Sequence, residues 1–207
     1  MLRKYANILW DFDGVIIESN LIREKGFVGT LANYPKEKVE ELLYFHRENG
    51  GLSRYIKYQY FFENILNIEK SQSEIMILAQ QFSDIVIKDL VNPKLLIKDS
   101  LDYLKRSHKI QKMDIASGSD EIELQKICYE LKLGQYFNSI NGSPREKAEI
   151  VNTCLKDNNY KRKETCLIGD SKNDFEAALS NGIDFYGFNN PKLVGLGTGY
   201  ITNFDRI

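Results

Sequence analysis

Asn7-Ile8-Leu9-Trp10-Asp11-Phe12-Asp13-Gly14-Val15 is an apolar run that stops at two carboxylates, one residue between them, and then a glycine. Such a run reads as a buried strand that delivers acidic side chains to the edge of a sheet. Side chains alternate along a strand, so Asp11 and Asp13 share a face if strand geometry continues through both, while Gly14 lets the backbone turn away and close on a ligand. Two carboxylates held together repel each other unless a cation or a shared proton lies between them. A hard divalent ion, for which oxygen ligands are the natural shell, is the simplest such cation.

C-terminal to this strand the pattern changes. From Glu18-Ser19-Asn20 no second strand is convincing until about Lys112, and Leu21, Phe27, Leu31, Val39, Leu42, Leu43, Phe45, Tyr55, Tyr58, Phe61, Phe62 and Ile65 recur at helical spacing. Breaks at Asn33-Tyr34-Pro35, Asn49-Gly50-Gly51 and Asn67 to Ser71 divide the stretch into four expected helices, the last running from Gln72 to Val91. The aromatic run Tyr55, Tyr58, Tyr60, Phe61, Phe62 reads as the core of this inserted module.

Beyond Asn92-Pro93 strands and helices alternate. A helix around Asp99 to Arg106 leads to a strand at Lys112 to Ala116, and Ser117-Gly118-Ser119-Asp120 opens a helix to Leu131 with Gly134 as its stop. A short strand at Ser139 to Asn141 precedes a helix from Arg145 to about Lys156. A strand at Thr165 to Ile168 runs into Gly169-Asp170-Ser171-Lys172-Asn173-Asp174 and a helix to Asn181 capped by Gly182. Asp184 to Tyr186 is one more strand, and Gly195, Gly197 and Gly199 mark a terminal loop. This alternation predicts a parallel sheet with helices on both faces, which binds ligands beyond the carboxyl ends of its strands.

The 207 residues are enough for one large domain or a compact domain with an insert, and 28 basic against 29 acidic residues give a net charge of -1. No basic block points to nucleic acid. Cys128, Cys154 and Cys166 are odd in number and lack paired zinc-ligand spacing, so they read as reduced core thiols. The apolar stretch before Asp11 is too short for a signal peptide or a membrane span. A cytoplasmic protein without a membrane partner, monomer or homodimer, is expected.

The polar strand ends fit one job together. Asp11 has the place of a carboxylate nucleophile, Asp13 of an acid/base group serving both halves of a two-step phosphoryl transfer, and Asp170 of a partner to Asp11 in a magnesium site. Ser117, with amides at a helix start, would hold a phosphoryl oxygen, and Lys147 would add fixed positive charge. Taken singly, Ser117 reads as a helix cap and Lys147 as a surface lysine; only the ordered set gives them a role.

That set resembles the haloacid dehalogenase superfamily of phosphatases, whose four motifs appear in order as Asp11-Phe12-Asp13-Gly14-Val15, Ile115-Ala116-Ser117-Gly118-Ser119, the Lys147 region within Gly142-Ser143-Pro144-Arg145-Glu146-Lys147, and Gly169 to Asp174. The resemblance implies an α/β, Rossmann-like parallel-sheet core at 1–16 and 92–207 with an all-helical cap at 17–91, as in phosphoglycolate phosphatases and beta-phosphoglucomutases. It implies a magnesium-dependent phosphatase of a small phosphorylated metabolite such as a sugar phosphate. Asp11, Asp13, Ser117 and Lys147 would be catalytic; Gly14, Ser117, Gly118 and Arg54 would bind substrate; Asp11, the main-chain carbonyl of Asp13, Asp170 and Asp174 would hold Mg2+. Lys147 is followed by Ala148 where the family often has proline, which leaves Lys132 and Lys156 as alternatives. Gly50-Gly51-Leu52-Ser53-Arg54 resembles a mutase cap stretch whose arginine binds a second phosphate. A phosphomutase and a non-catalytic phosphate-binding module are the alternative functions.

Overall fold

A computed structural model of the chain describes residues 1–204, so the last three positions of the expected 92–207 segment lie outside the described residues. The sheet has six parallel strands among those residues, in the order β3-β2-β1-β4-β5-β6. They are β1 (Asn7–Trp10), β2 (Lys112–Asp120), β3 (Ser139–Ser143), β4 (Thr165–Gly169), β5 (Asp184–Phe188) and β6 (Gly199–Ile201). β1 lies at the centre, with Trp10 opposite Ile115 of β2 and Ile168 of β4. All four β1 side chains are buried, as an apolar strand covered on both faces requires.

Helices α5 (Lys98–Ser107) and α6 (Glu121–Glu130) contribute Tyr103, Leu104, Leu124 and Ile127 to a core that contains Ile8, Trp10, Ile115 and Ile168. On the opposite face, α7 (Lys147–Asp157) and α8 (Lys172–Ser180) pack Ile150, Val151, Ala177 and Ala178 against Leu9, Ala116 and Leu167. The alternation of Ile8 and Trp10 with Leu9 is therefore the pleat of one strand read from two sides. Cys128, Cys154 and Cys166 are buried and unbridged among the described residues.

The insert is helical: α1 (Asn20–Thr30), α2 (Lys36–Glu48), α3 (Arg54–Tyr60) continued by a π-helical turn over Phe61–Ile65, and α4 (Gln72–Leu90). Ser53 caps α3, and Ser71 with Glu74 forms a capping box on α4. Phe27 meets Tyr58 and Phe82 edge to face at 5.3 and 4.9 Å, and Tyr60 stacks on Phe45. A Cβ at Gly26 would fall 2.5 Å from the Phe82 ring, so this glycine sets how closely α1 approaches α4. The two connections to the core run side by side: Glu18 N–H donates to Leu95 O at 2.8 Å and Ile97 N–H to Ile16 O at 2.9 Å, around an antiparallel bridge of Ile17 with Leu96.

Four local expectations are corrected. β1 ends at Trp10, so Asp11 and Asp13 are not on one pleated face; Phe12 O instead accepts from Ile16 and Ile17 in a tight turn. Ser117 to Asp120 extend β2 rather than open a helix, and Asp120 is the cap that accepts from Glu123 N–H at 3.0 Å. The α6 exit is made by Lys132 at φ 56° rather than by Gly134. Gly199 belongs to an edge strand, β6, not to a loop; backbone pairing with Tyr186 to Phe188 outweighs the low strand propensity of glycine.

Candidate active site

Asp11 is the first residue beyond β1, its N–H still tied to Ile168 O at 2.9 Å, which fixes its buried carboxylate at the carboxyl edge of the sheet. Lys147, the first residue of α7, donates from Nζ to Asp11 Oδ1 at 2.7 Å and also to Asp174 Oδ1. Lys132 and Lys156 are exposed, so among the three candidate lysines Lys147 is the one brought to Asp11. Asp174 is anchored by its place in a capping box at the start of α8, where Oδ2 accepts from Ser171 N–H at 3.0 Å and Oγ at 2.6 Å. Asp170 follows β4, and Asp11, Asp170 and Asp174 each offer an oxygen within 4.8 Å of the others.

Three carboxylates against one ammonium leave two negative charges unmatched in a buried cluster. Burial and the Asp174 charge push the Asp11 carboxyl up to about 7 despite Lys147, and burial with the Asp11 charge raises Asp170 well above the carboxylate range. Lys147 is held above the usual lysine value because Asp11 and Asp174 outweigh its desolvation. Gly14, at φ 75°, is where a side chain has no room: a Cβ there would lie 2.0 Å from Asp170 Oδ2. The glycine turn thus admits the Asp170 carboxylate against the exit of β1.

Asp13 is turned elsewhere. Its carboxylate accepts from Ser19 Oγ and Ser119 Oγ, and is held bidentately by Arg23, with Nε at 3.0 Å from Oδ1 and Nη2 at 3.2 Å from Oδ2. Burial alone would raise this carboxyl; Arg23 and the two hydroxyls outweigh it and keep it below the usual range. Ser117 is buried in β2 and lines the same cavity as Asp11, and a Cβ on Gly118 would meet Gly51 O at 2.3 Å. The cap loop at Gly50 to Leu52 thus lies directly on the core.

A family model described as haloacid dehalogenase-like hydrolase matches residues 8–188. The chain belongs to the haloacid dehalogenase-like hydrolases. No curated protein matches it in sequence. Among solved structures, beta-phosphoglucomutase from Clostridium difficile superimposes with a TM-score of 0.77 at 15% identity, covering 98% of this chain and 93% of that one. CbbY from Rhodobacter sphaeroides, solved with phosphate, gives 0.73 at 14% identity over 97% and 95% of the two chains. A predicted phosphatase from Clostridium acetobutylicum gives 0.72 at 17% identity over 98% and 90%. At these identities the likeness is one of fold.

In this haloacid dehalogenase-like hydrolase, a cavity of about 50 Å³ lies between core and cap, lined by Asp11, Asp13, Ser117 and Asp170 from below and by Arg23, Arg54 and Lys57 from above. Arg54 is at the cavity and ion-paired on its far side: Nη2 meets Glu123 Oε1 at 2.7 Å, Nη1 meets Ser83 Oγ at 2.7 Å and Ala79 O at 3.2 Å, and the guanidinium lies 4.3 Å over Phe82. Glu123 of α6 also takes Arg23, so one core carboxylate holds two cap arginines and is itself held down to about 2 by them, against its burial. Arg23, Glu123 and Lys57 carry no role in the sequence reading, and Ser119 stands there only within its motif. Arg23 had a usable signal, standing one helical turn after Ser19 and so on the face that leaves the Asp13 turn; Glu123 had none, since its partners are far away in the chain.

Proposed function

We propose that this protein is a Mg2+-dependent phosphatase of a small phosphorylated metabolite, such as a sugar phosphate, working through an aspartyl-phosphate on Asp11. The observation that supports it is the division of labour between two neighbouring carboxylates: Asp11 is held by Lys147 among the acidic cluster, Asp13 by Ser119 and Arg23 away from it. The Asp11 carboxylate attacks phosphorus, the ester oxygen leaves, and Asp13, which enters this step in its protonated form with the proton taken from water in the previous turnover, gives that oxygen the proton. Asp13 then takes a proton from the water that attacks the acyl phosphate, which frees Asp11 and inorganic phosphate. Arg23 holds Asp13 as a carboxylate in the arrangement described, the form needed for the second half. Lys147 restrains the Asp11 charge, and Ser117 and the Gly118 backbone face the phosphoryl group.

The two unmatched charges of the cluster fit a divalent cation, and the Asp13 main-chain carbonyl receives no backbone hydrogen bond among the described residues. Asp11, Asp170 and that carbonyl would hold Mg2+, with Asp174 supporting Lys147 and the cluster from behind. Bound there, the ion supplies charge neutralisation to the phosphoryl oxygens and to Asp11. CbbY, solved with phosphate, has the same fold and fits this reading. Among the described residues no helix is long and apolar enough to cross a membrane.

The test is a panel of phosphate esters assayed for phosphate release with Mg2+ or with chelator. Mg2+-dependent release from at least one ester is expected. No turnover on any ester would leave the non-catalytic reading, and release that needs a phosphorylated activator would favour the mutase.

A further inference from the structure

Lys57 sits one turn after Arg54 on α3, is 3% exposed and lines the cavity. Its Nζ donates to His46 Nδ1 at 2.9 Å and to Gly50 O at 3.1 Å. An ammonium has three N–H donors, so one remains for a group in the cavity. Both acceptors are neutral: burial and the neighbouring Lys57 hold His46 down to about 2, so its ring carries no charge. Among the described residues no carboxylate lies within ion-pair distance of Lys57. The two other cations of the cap wall are matched, Arg23 by Asp13 and Glu123, Arg54 by Glu123. Arg23 and Arg54 are thus paired at contact distance, and Lys57 is the cation of this wall that touches no carboxylate among the described residues. Burying an ammonium with no carboxylate in contact is costly, and the same burial brings Lys57 down to about 7 against the more distant Asp13 and Asp170 charges. The rest of this wall, Phe27, Leu52 and Phe82, supplies no compensating charge.

We infer that Lys57, rather than Arg54, is the group that selects the substrate, by pairing with a compact anion, carboxylate or second phosphate, on the leaving-group side of the ester. The inference rests on the phosphatase reading for the position of the reacting phosphoryl group. A neutral hydroxyl would satisfy the spare N–H but not the charge. The Arg54 charge is already paired with Glu123, and drawing it toward the ester would leave Glu123 buried with less compensation.

The experiment compares kcat/KM for phosphoglycerate, glycerol phosphate and glycerol bisphosphate, which share a three-carbon frame with a carboxylate, a hydroxyl or a phosphate at the far end, in wild type, Lys57→Met and Lys57→Gln. Wild type is expected to favour one of the anionic esters over glycerol phosphate by at least about tenfold, the weight of one charge-assisted contact, and both variants to lose that ratio. The preferred anionic ester tells carboxylate from phosphate. A ratio that is absent in wild type, or unchanged in variants whose thermal unfolding stays cooperative, overturns the inference. Should no ester be turned over, the phosphatase reading fails by itself. Lys57 is then judged by calorimetric binding of phosphonoacetate and methylenediphosphonate against ethylphosphonate: a preference for either anionic phosphonate that Lys57→Met abolishes supports it, and equal binding in wild type overturns it.

Discussion

Replacing Asp11 by asparagine keeps the shape of a side chain held by Lys147 and removes its charge and nucleophilicity. Asp11→Asn is expected to lower turnover by at least about a thousandfold with cooperative unfolding retained; activity within tenfold of wild type would rule out the aspartyl-phosphate. Gly14 offers a second residue-level test. At φ 75° a Cβ costs about 1–2 kcal/mol of backbone strain, and it would also displace the Asp170 carboxylate. Gly14→Ala should therefore weaken Mg2+ binding, measured calorimetrically, by at least tenfold as it lowers stability. Unchanged Mg2+ affinity would mean that Asp170 is not a ligand. At this scale the sequence was informative where chemistry is local. Asp11, Asp13 and Asp170 stand at apolar strand ends, where an acid has few structural reasons to be. The orientation of Asp13 was not legible, because it depends on Arg23 and Ser119, which the fold brings from α1 and from β2.

Between elements, the contact that matters most is Glu123 of α6 against Arg23 of α1 and Arg54 of α3. Removing one charge from a buried network strands the others, so Glu123→Gln is expected to cost about 3 kcal/mol in urea denaturation. A loss under about 1 kcal/mol would show that the guanidiniums find other partners. The packing of α2 on α3 carries a pH signature through His46. Its folded value of about 2 lies below the ordinary 6.5, so below that pH the unfolded chain takes up a proton that the folded chain refuses. Stability conferred by burying neutral His46 is complete above about pH 6.5 and is lost as the solution becomes more acidic. Because Asp11 acts in the opposite direction, the informative quantity is the stability advantage of wild type over His46→Gln, which should shrink by up to about 1.4 kcal/mol per pH unit as the pH falls from 6.5 to 5. A pH-independent difference would place His46 in solvent. The helices and strands themselves were readable from apolar periodicity and from breaks such as Asn49-Gly50-Gly51. β6 and the long β2 were not, since edge pairing and the extension through Ser117 to Asp120 are set by neighbouring strands, not by propensity.

Taken whole, the molecule packs its helical cap directly on the carboxyl edge of the sheet. A cavity of about 50 Å³ holds a few waters, far below the roughly 300 Å³ of an ordinary small-ligand pocket, so a phosphate ester of the proposed class is expected to need cap and core to separate before it binds. Lys192 and Glu48 pair across that seam at 2.9 Å. Joining Glu48→Cys and Lys192→Cys with a short bis-thiol crosslinker is expected to suppress turnover at least tenfold, and undiminished turnover in the crosslinked protein would mean that the seam need not open. The α/β architecture and its inserted module could be read from one chain because the apolar strands and the helical block have different periods; the closed seam could not, being a matter of side chains far apart in sequence. The paired connections at Ile17 and Leu96 have a further consequence. Since the insert leaves and returns through adjacent hydrogen-bonded backbones, the core experiences residues 18–95 as little more than the tip of a hairpin. A lid of another length or shape could be joined at that point without altering the strand connections of the sheet, provided that it supplies partners for Asp13 and Glu123.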